Sequence, residues 1–154
     1  MSESTDIADP LALEEQVCFA LSVAARGVVA VYRPLLDPMG LTHPQYLVML
    51  ALWQHAPLSV RELSRLLRLD PGTLSPLLKR LEAIGYLRRE RAAGDERSLA
   101  ITLTPEGRAL RARAELIPPA VVDRLGLPYD ELMSLHAALT RVIAAARPLP
   151  PDQG

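Results

Sequence analysis

Residues 59–85, SVRELSRLLRLDPGTLSPLLKRLEAIG, decide the fold. Ser59 and Glu62 stand at capping-box spacing ahead of Leu63, Leu66 and Leu67, which predicts a short helix over Ser59–Leu67. Arg68-Leu69-Asp70 is then a turn, and Asp70-Pro71 opens a second helix through Leu74, Leu77, Leu78 and Leu81 to Gly85. Pro76 removes one intrahelical hydrogen bond, so a local irregularity is expected near the start of that helix. Two short helices joined by a three-residue turn are a helix-turn-helix.

Downstream, the hydrophobic period changes from helix to strand. Tyr86–Arg91 and Arg97–Leu103 flank the turn-rich Ala92-Ala93-Gly94-Asp95, and Leu99, Ile101 and Leu103 alternate as in a half-buried strand. Helix, turn, helix and basic hairpin is the order of a winged helix-turn-helix, here spanning residues 42–104. Upstream, Thr42-His43-Pro44-Gln45 caps an apolar helix, Tyr46–Trp53. Asp9-Pro10 reads as the start of a long amphipathic helix over residues 10–37, striped by Val17, Cys18, Leu21, Val28, Val31, Tyr32 and Leu35. After the hairpin, Thr104-Pro105 caps a helix from Arg108 to about Val122 that Pro118-Pro119 must bend or break. A last helix covers roughly Tyr129–Ala146. The expected fold is therefore mainly α with a small β-hairpin wing, one domain over residues 1–154, in which residues 10–37 and 105–146 supply dimerisation helices.

Charge follows this division. Residues 1–57 carry a net −4, residues 58–99 a net +3, and the remainder balances within an overall −1. In the winged motif the second helix enters the major groove: Gly72, Thr73 and Ser75 approach the bases, and Lys79 and Arg80 reach phosphates. Arg61 and Arg88 join the expected DNA contacts, and Arg97 at the hairpin tip is offered to an adjacent minor groove. A bare charged surface on a helical domain is the bland alternative; the conjunction of motif and basic wing favours double-stranded DNA.

Other classes fall away. The single cysteine forms no internal disulfide framework and suits a reduced, cytoplasmic setting. The acidic opening lacks the pattern of a secretory signal, and the aromatic-aliphatic run Tyr46–Trp53 is far short of the ~20 residues of a membrane span. His55 and His136 make no zinc spacing with Cys18, so no metal or other cofactor is expected.

The chain resembles the MarR family of dimeric bacterial transcription regulators over roughly Leu11–Ala146, through its helix order, the segment Asp70–Glu82 and the wing Asp95-Glu96-Arg97-Ser98. Within that family it is most similar to the organic-hydroperoxide regulators of the single-cysteine branch, on Leu13–Leu21, Tyr32-Arg33-Pro34-Leu35-Leu36-Asp37 and Pro44-Gln45-Tyr46-Leu47. The resemblance implies a homodimeric repressor released from a near-palindromic operator when organic hydroperoxide oxidises Cys18. It also implies two sensing positions in the partner subunit, occupied here by Tyr32 and His43. The family has tyrosine where His43 stands, and often an aromatic residue where Ser22 stands. Spacing independently separates Cys18 from Tyr32 by 14 residues on one helical stripe, ~21 Å, so the two meet only between copies.

For His43 three roles remain open: a hydrogen bond to the thiolate, a compensating positive charge, or a place at the helix start. Without a second cysteine, oxidation beyond sulfenic acid requires a low-molecular-weight thiol, an intermolecular disulfide or overoxidation. Two competitors are a repressor of the same fold released by a small aromatic or other ligand, with Cys18 silent, and an enzyme using Cys18 as a peroxidatic thiol. The enzyme leaves the winged motif unused and lacks a nucleophile-base motif.

Overall fold

The computed structural model describes residues 9–91 and 99–146. The chain forms two compact units, residues 1–117 and 118–154. The first contains α1 (Val17–Leu36), α2 (His43–His55), β1 (Leu58–Ser59), α3 (Val60–Leu67), α4 (Pro71–Ile84), β2 (Leu87–Arg91), β3 (Leu99–Leu103) and α5 (Pro105–Ala114); α6 (Ile117–Leu125) begins at its edge, and α7 (Tyr129–Ala145) lies in the second unit.

The capping chemistry works as the sequence demands. Thr42 and Ser59 each form a reciprocal capping box, with Gln45 and Glu62. Asp70 accepts from the Thr73 amide at 2.7 Å. Arg68 closes α3 in the left-handed region, φ 55°, and the Ser64 hydroxyl donates to the Leu69 carbonyl, fixing the turn between the two helices. Leu63, Leu74, Leu78 and Leu81 are wholly buried with Val48, Met49 and Leu52 of α2 and Ile101 of β3. The core of the first unit thus lies beneath the helix-turn-helix and holds its two helices at a fixed angle.

Four expectations need correction. The first helix starts at Val17, not after Asp9-Pro10. Gln16 bonds back through its side-chain amide to the carbonyls of Pro10 and Ala12, at 2.9 and 3.0 Å, so residues 9–16 form turns and a 3-10 segment, Leu13–Glu15. The expected helix Arg108–Val122 is two helices broken at Glu115-Leu116: α5 starts earlier, at Pro105, and Pro118 and Pro119 sit in the first turn of α6, where no intrahelical amide is needed. Pro76 leaves α4 unbroken; the Gly72 carbonyl that loses its partner belongs to an exposed residue and is open to water. The wing has a third strand, since β1 pairs with β3 (Leu58↔Ile101) and gives the antiparallel order β1-β3-β2. Two residues are too few to show an alternating pattern, so β1 had no sequence signal.

On the stripe of α1, Val17 and Cys18 are exposed and Leu21, Val28, Val31, Tyr32 and Leu35 are part-buried; Phe19, Val23 and Val29, off the stripe, are exposed as well, and only Leu36 of the helix is buried. The segment Val17–Met39 is also the one stretch among the described residues long and apolar enough to cross a bilayer, with a mean hydropathy of 1.4. The sequence test based on Tyr46–Trp53 overlooked it. Arg26 near its middle argues against that use, since a central arginine costs about 3 kcal/mol in insertion.

Candidate nucleic-acid interface and thiol site

At the start of α4 Gly72 and Thr73 are exposed, and Ser75 is half-buried. Asp70 sets their geometry, because its carboxylate takes both the Thr73 amide and the Thr73 hydroxyl, the latter at 3.1 Å. With its proton committed to Asp70, the exposed Thr73 hydroxyl is left as an acceptor. A side chain at position 72 would place its Cβ 3.3 Å from the Asp70 carboxylate, so glycine leaves this cap uncrowded. Arg61, Lys79, Arg80 and Arg88 are all exposed. They come from α3, α4 and β2, which the core joins. The wing tip, including Arg97, lies outside the described residues.

Beneath the wing, β3 feeds directly into α5. Thr104 caps that helix by accepting from the Gly107 amide at 3.0 Å, and its hydroxyl donates to the Gly85 carbonyl at 2.5 Å. Trp53 of α2 donates through Nε1 to the Gly107 carbonyl at 2.8 Å, and the Tyr86 hydroxyl reaches the Met39 carbonyl at 2.6 Å. Both aromatic residues are part-buried and anchor their elements to neighbouring backbone.

Cys18 is exposed near the start of α1. Because α1 runs as one helix from Val17 to Leu36, Tyr32 stands ~21 Å further along it, out of reach within one chain. Ser22 spends its hydroxyl on the Cys18 carbonyl at 2.9 Å, inside its own helix.

Tyr32 has company of its own. Its ring meets His43 edge-on, with centroids 4.9 Å apart, and Tyr46 packs 5.7 Å from Tyr32 and 6.3 Å from His43. The end of α1 and the first turn of α2 therefore build an aromatic cluster that brings the two sensing candidates together. Burial pushes the His43 imidazole below its usual range and the Tyr32 and Tyr46 phenols above theirs, the charge of Tyr32 adding to the shift at Tyr46. Near neutral pH the cluster is therefore uncharged: His43 supplies one N–H donor and one acceptor nitrogen, and Tyr32 an intact hydroxyl. This disfavours the charge-compensating role for His43. Tyr46, buried and one helical turn after His43, completes the cluster, and that spacing is the sequence signal that groups it there. Among the described residues no three His, Cys, Asp or Glu side chains gather as metal ligands would.

A helix-turn-helix with an attached β-wing and a basic outer face defines a winged-helix DNA-binding protein. The MarR family profile matches residues 41–99. The chain is 41% identical over 131 residues to the organic hydroperoxide resistance transcriptional regulator of Bacillus subtilis, covering 85% of this chain and 89% of that one. It is 47% identical over 127 residues to the transcriptional regulator TtmR of Methylorubrum extorquens, covering 82% of this chain but only 65% of that longer protein. Among solved structures, reduced AbfR bound to DNA superposes with a TM-score of 0.70 at 36% identity, covering 86% of this chain and 93% of that one. The chain belongs to the MarR family of DNA-binding transcriptional regulators, which are not enzymes.

Proposed function

We propose that the protein is a homodimeric repressor that binds a near-palindromic operator and leaves it when an organic hydroperoxide oxidises Cys18. The observation that favours this reading is the arrangement along α1: an exposed thiol at one end, a neutral Tyr32–His43 pair at the other, and between them an apolar stripe, Leu21, Val28 and Val31, that one chain covers only in part. Two antiparallel copies packed along that stripe would bring each Cys18 to the partner's aromatic pair, giving two equivalent sites. The relatives agree in kind, one being an organic hydroperoxide resistance regulator.

The chemistry is that of a thiolate and a peroxide. The sulfur attacks one peroxide oxygen, the O–O bond breaks, and the alkoxide leaves and takes up a proton as the alcohol. Cys18 becomes a sulfenic acid and the hydroperoxide is reduced. Tyr32 and His43 would donate hydrogen bonds to the thiolate. An apolar aromatic wall favours an organic over an inorganic peroxide. The sulfenic acid then condenses with a low-molecular-weight thiol, its S–O bond breaking and water leaving as the mixed disulfide forms, and the added bulk beside Tyr32 alters the seam that spaces the two α4 helices. DNA contact is assigned to Arg61, Gly72, Thr73, Ser75, Lys79, Arg80, Arg88 and Arg97, with half-sites about one turn, ~10 base pairs, apart. A regulator acting on DNA in this way works in the cytoplasm.

A second reading rests on a cavity of about 480 Å³ between α2, β3 and α5, lined by Leu52, Trp53, Leu103, Arg108 and Arg111 among others. Its arginines and indole suit a small anionic ligand that would release the protein without the thiol. Release from a duplex selected by the wild-type protein, titrated with cumene hydroperoxide and with hydrogen peroxide, separates the two. Cys18→Ser should stay bound at oxidant levels that free the wild type, and the organic peroxide should act at the lower dose. Release of Cys18→Ser with the wild-type dose response would reject the thiol sensor.

A further inference from the structure

Nine basic residues lie between positions 58 and 99, and charge counting treats all of them as candidate phosphate contacts. Arg89 behaves differently. On β2 the buried Leu87 and the part-buried Arg89 share one face, while Arg88 and Glu90 lie exposed on the other. Arg89 stands opposite the buried Ile101 in the strand register, and its Nε and Nη2 are sealed from solvent without a hydrogen-bond partner among the described residues. Among the described residues the anion it approaches is Glu82 of α4, with Nε 3.7 Å from Oε2. A guanidinium in such a place is costly unless it is paired, and two of its nitrogens turn inward from any duplex lying on the outer face.

We propose that Arg89 and Glu82 are a positioning pair that fixes the wing against the recognition helix. Only Gly85, in the left-handed region, and Tyr86 connect α4 to β2. The hydrogen bonds of Thr104 to Gly85 and Tyr86 hold the base of the hairpin. Arg89 lies two residues further out, ~7 Å along the strand, where a small rotation about that base becomes a large displacement of the tip. Glu82 follows Lys79 and Arg80 on the same helix, whereas Arg88 adjoins Arg89 on the strand. One ion pair thus sets the spacing between the groups that face the major groove and those that the wing carries. Arg89 acts through the wing and makes no base or phosphate contact of its own.

The full-length, reduced protein is tested on a duplex it has itself selected from a random pool, with Arg89→Gln, Glu82→Gln and the double variant. Each single change should weaken binding about tenfold, and the double change should be no worse than the worse single, since both remove one interaction. Hydroxyl-radical protection should fade at the outer minor grooves under the wing and persist beside the major grooves read by α4. The affinity should also fall less steeply with salt, as wing-to-phosphate contacts are lost. If Arg89→Gln does not fold, Glu82→Gln, at the half-exposed end of the pair, must by itself show the same uneven footprint. Additive losses, an evenly weakened footprint, or wild-type affinity in either single variant would each overturn the pairing.

Discussion

Tyr32 and His43 carry the sensing proposal at the scale of single residues, and each allows a separate test. Tyr32→Phe removes one hydroxyl from the cluster and almost no volume, so binding of reduced protein to DNA should be unchanged while the organic hydroperoxide needed for release rises several-fold. A wild-type dose response in that variant would remove Tyr32 from the site. His43 is legible through pH. Burial holds its folded pKa below the usual 6.5, so as pH falls through about 6.5 the unfolded chain takes up a proton that the folded chain refuses. Stability is therefore lost as pH drops below that value and unaffected above it. The groups around the ring, Tyr32 and Tyr46, stay neutral through this range and do not offset the effect. Denaturant midpoints should show the wild type weakening relative to His43→Gln between pH 7 and pH 5; parallel midpoints would mean that the imidazole is solvated. Loss of peroxide response in His43→Gln without any change in that stability profile would assign the histidine to the thiol rather than to its helix.

Between residue and molecule stand the caps and turns, and here the sequence was most readable. Asp70-Pro71, Thr42 with Gln45, Ser59 with Glu62, and Thr104-Pro105 each bound the helix they announce, because capping is local chemistry between residues three apart. What escaped depended on distant partners. Gln16 caps α1 while its side chain folds back on Pro10 and Ala12, so no helix begins at Pro10; β1 exists only because β3 lies beside it, and Arg89 looks like any wing arginine until Glu82 is seen across from it. The Tyr32–His43–Tyr46 cluster was half legible: resemblance named two members, and the packing of α1 on α2 supplied the third. Gly107 is a further case. Its sequence context, one turn into α5, tolerates any residue, yet a Cβ there would fall 2.0 Å from the Tyr86 carbonyl oxygen. Both atoms belong to backbone that Thr104 and Trp53 tie down, so neither yields cheaply. Gly107→Ala should cost about 2 kcal/mol or more, within the range for overpacking a fixed site. Thermal melts check this, and an unchanged melting temperature would show that α5 can slide away from the wing.

For the whole molecule, the decisive fact is how much apolar surface one chain leaves uncovered. No residue of α7 is buried, and Tyr129, Met133, Leu135, Val142 and Ile143 are exposed along it, as Val17, Phe19, Val23 and Val29 are along α1. Monomeric proteins rarely leave two helices with so many exposed apolar side chains, whereas obligate dimers cover such surface with a second copy and often have little stable monomer. Removing residues 129–154 takes away α7 and leaves every proposed DNA contact in place. The truncated chain should sediment as a monomer or associate weakly. Its DNA affinity should fall at least a hundredfold, because a second recognition helix no longer binds at the high effective concentration its partner provides. The loss has a second signature: with half the phosphate contacts per bound particle, the slope of log affinity against log salt should drop by about half. Leu135→Glu, which keeps the full length of the chain, should move both quantities in the same direction, so that a folding defect of the truncation is not mistaken for lost symmetry. A truncated or Leu135→Glu protein that stays monomeric yet binds the selected duplex with wild-type affinity and slope would show that one winged helix suffices. The coupling of Cys18 to DNA through the seam would then have no physical route.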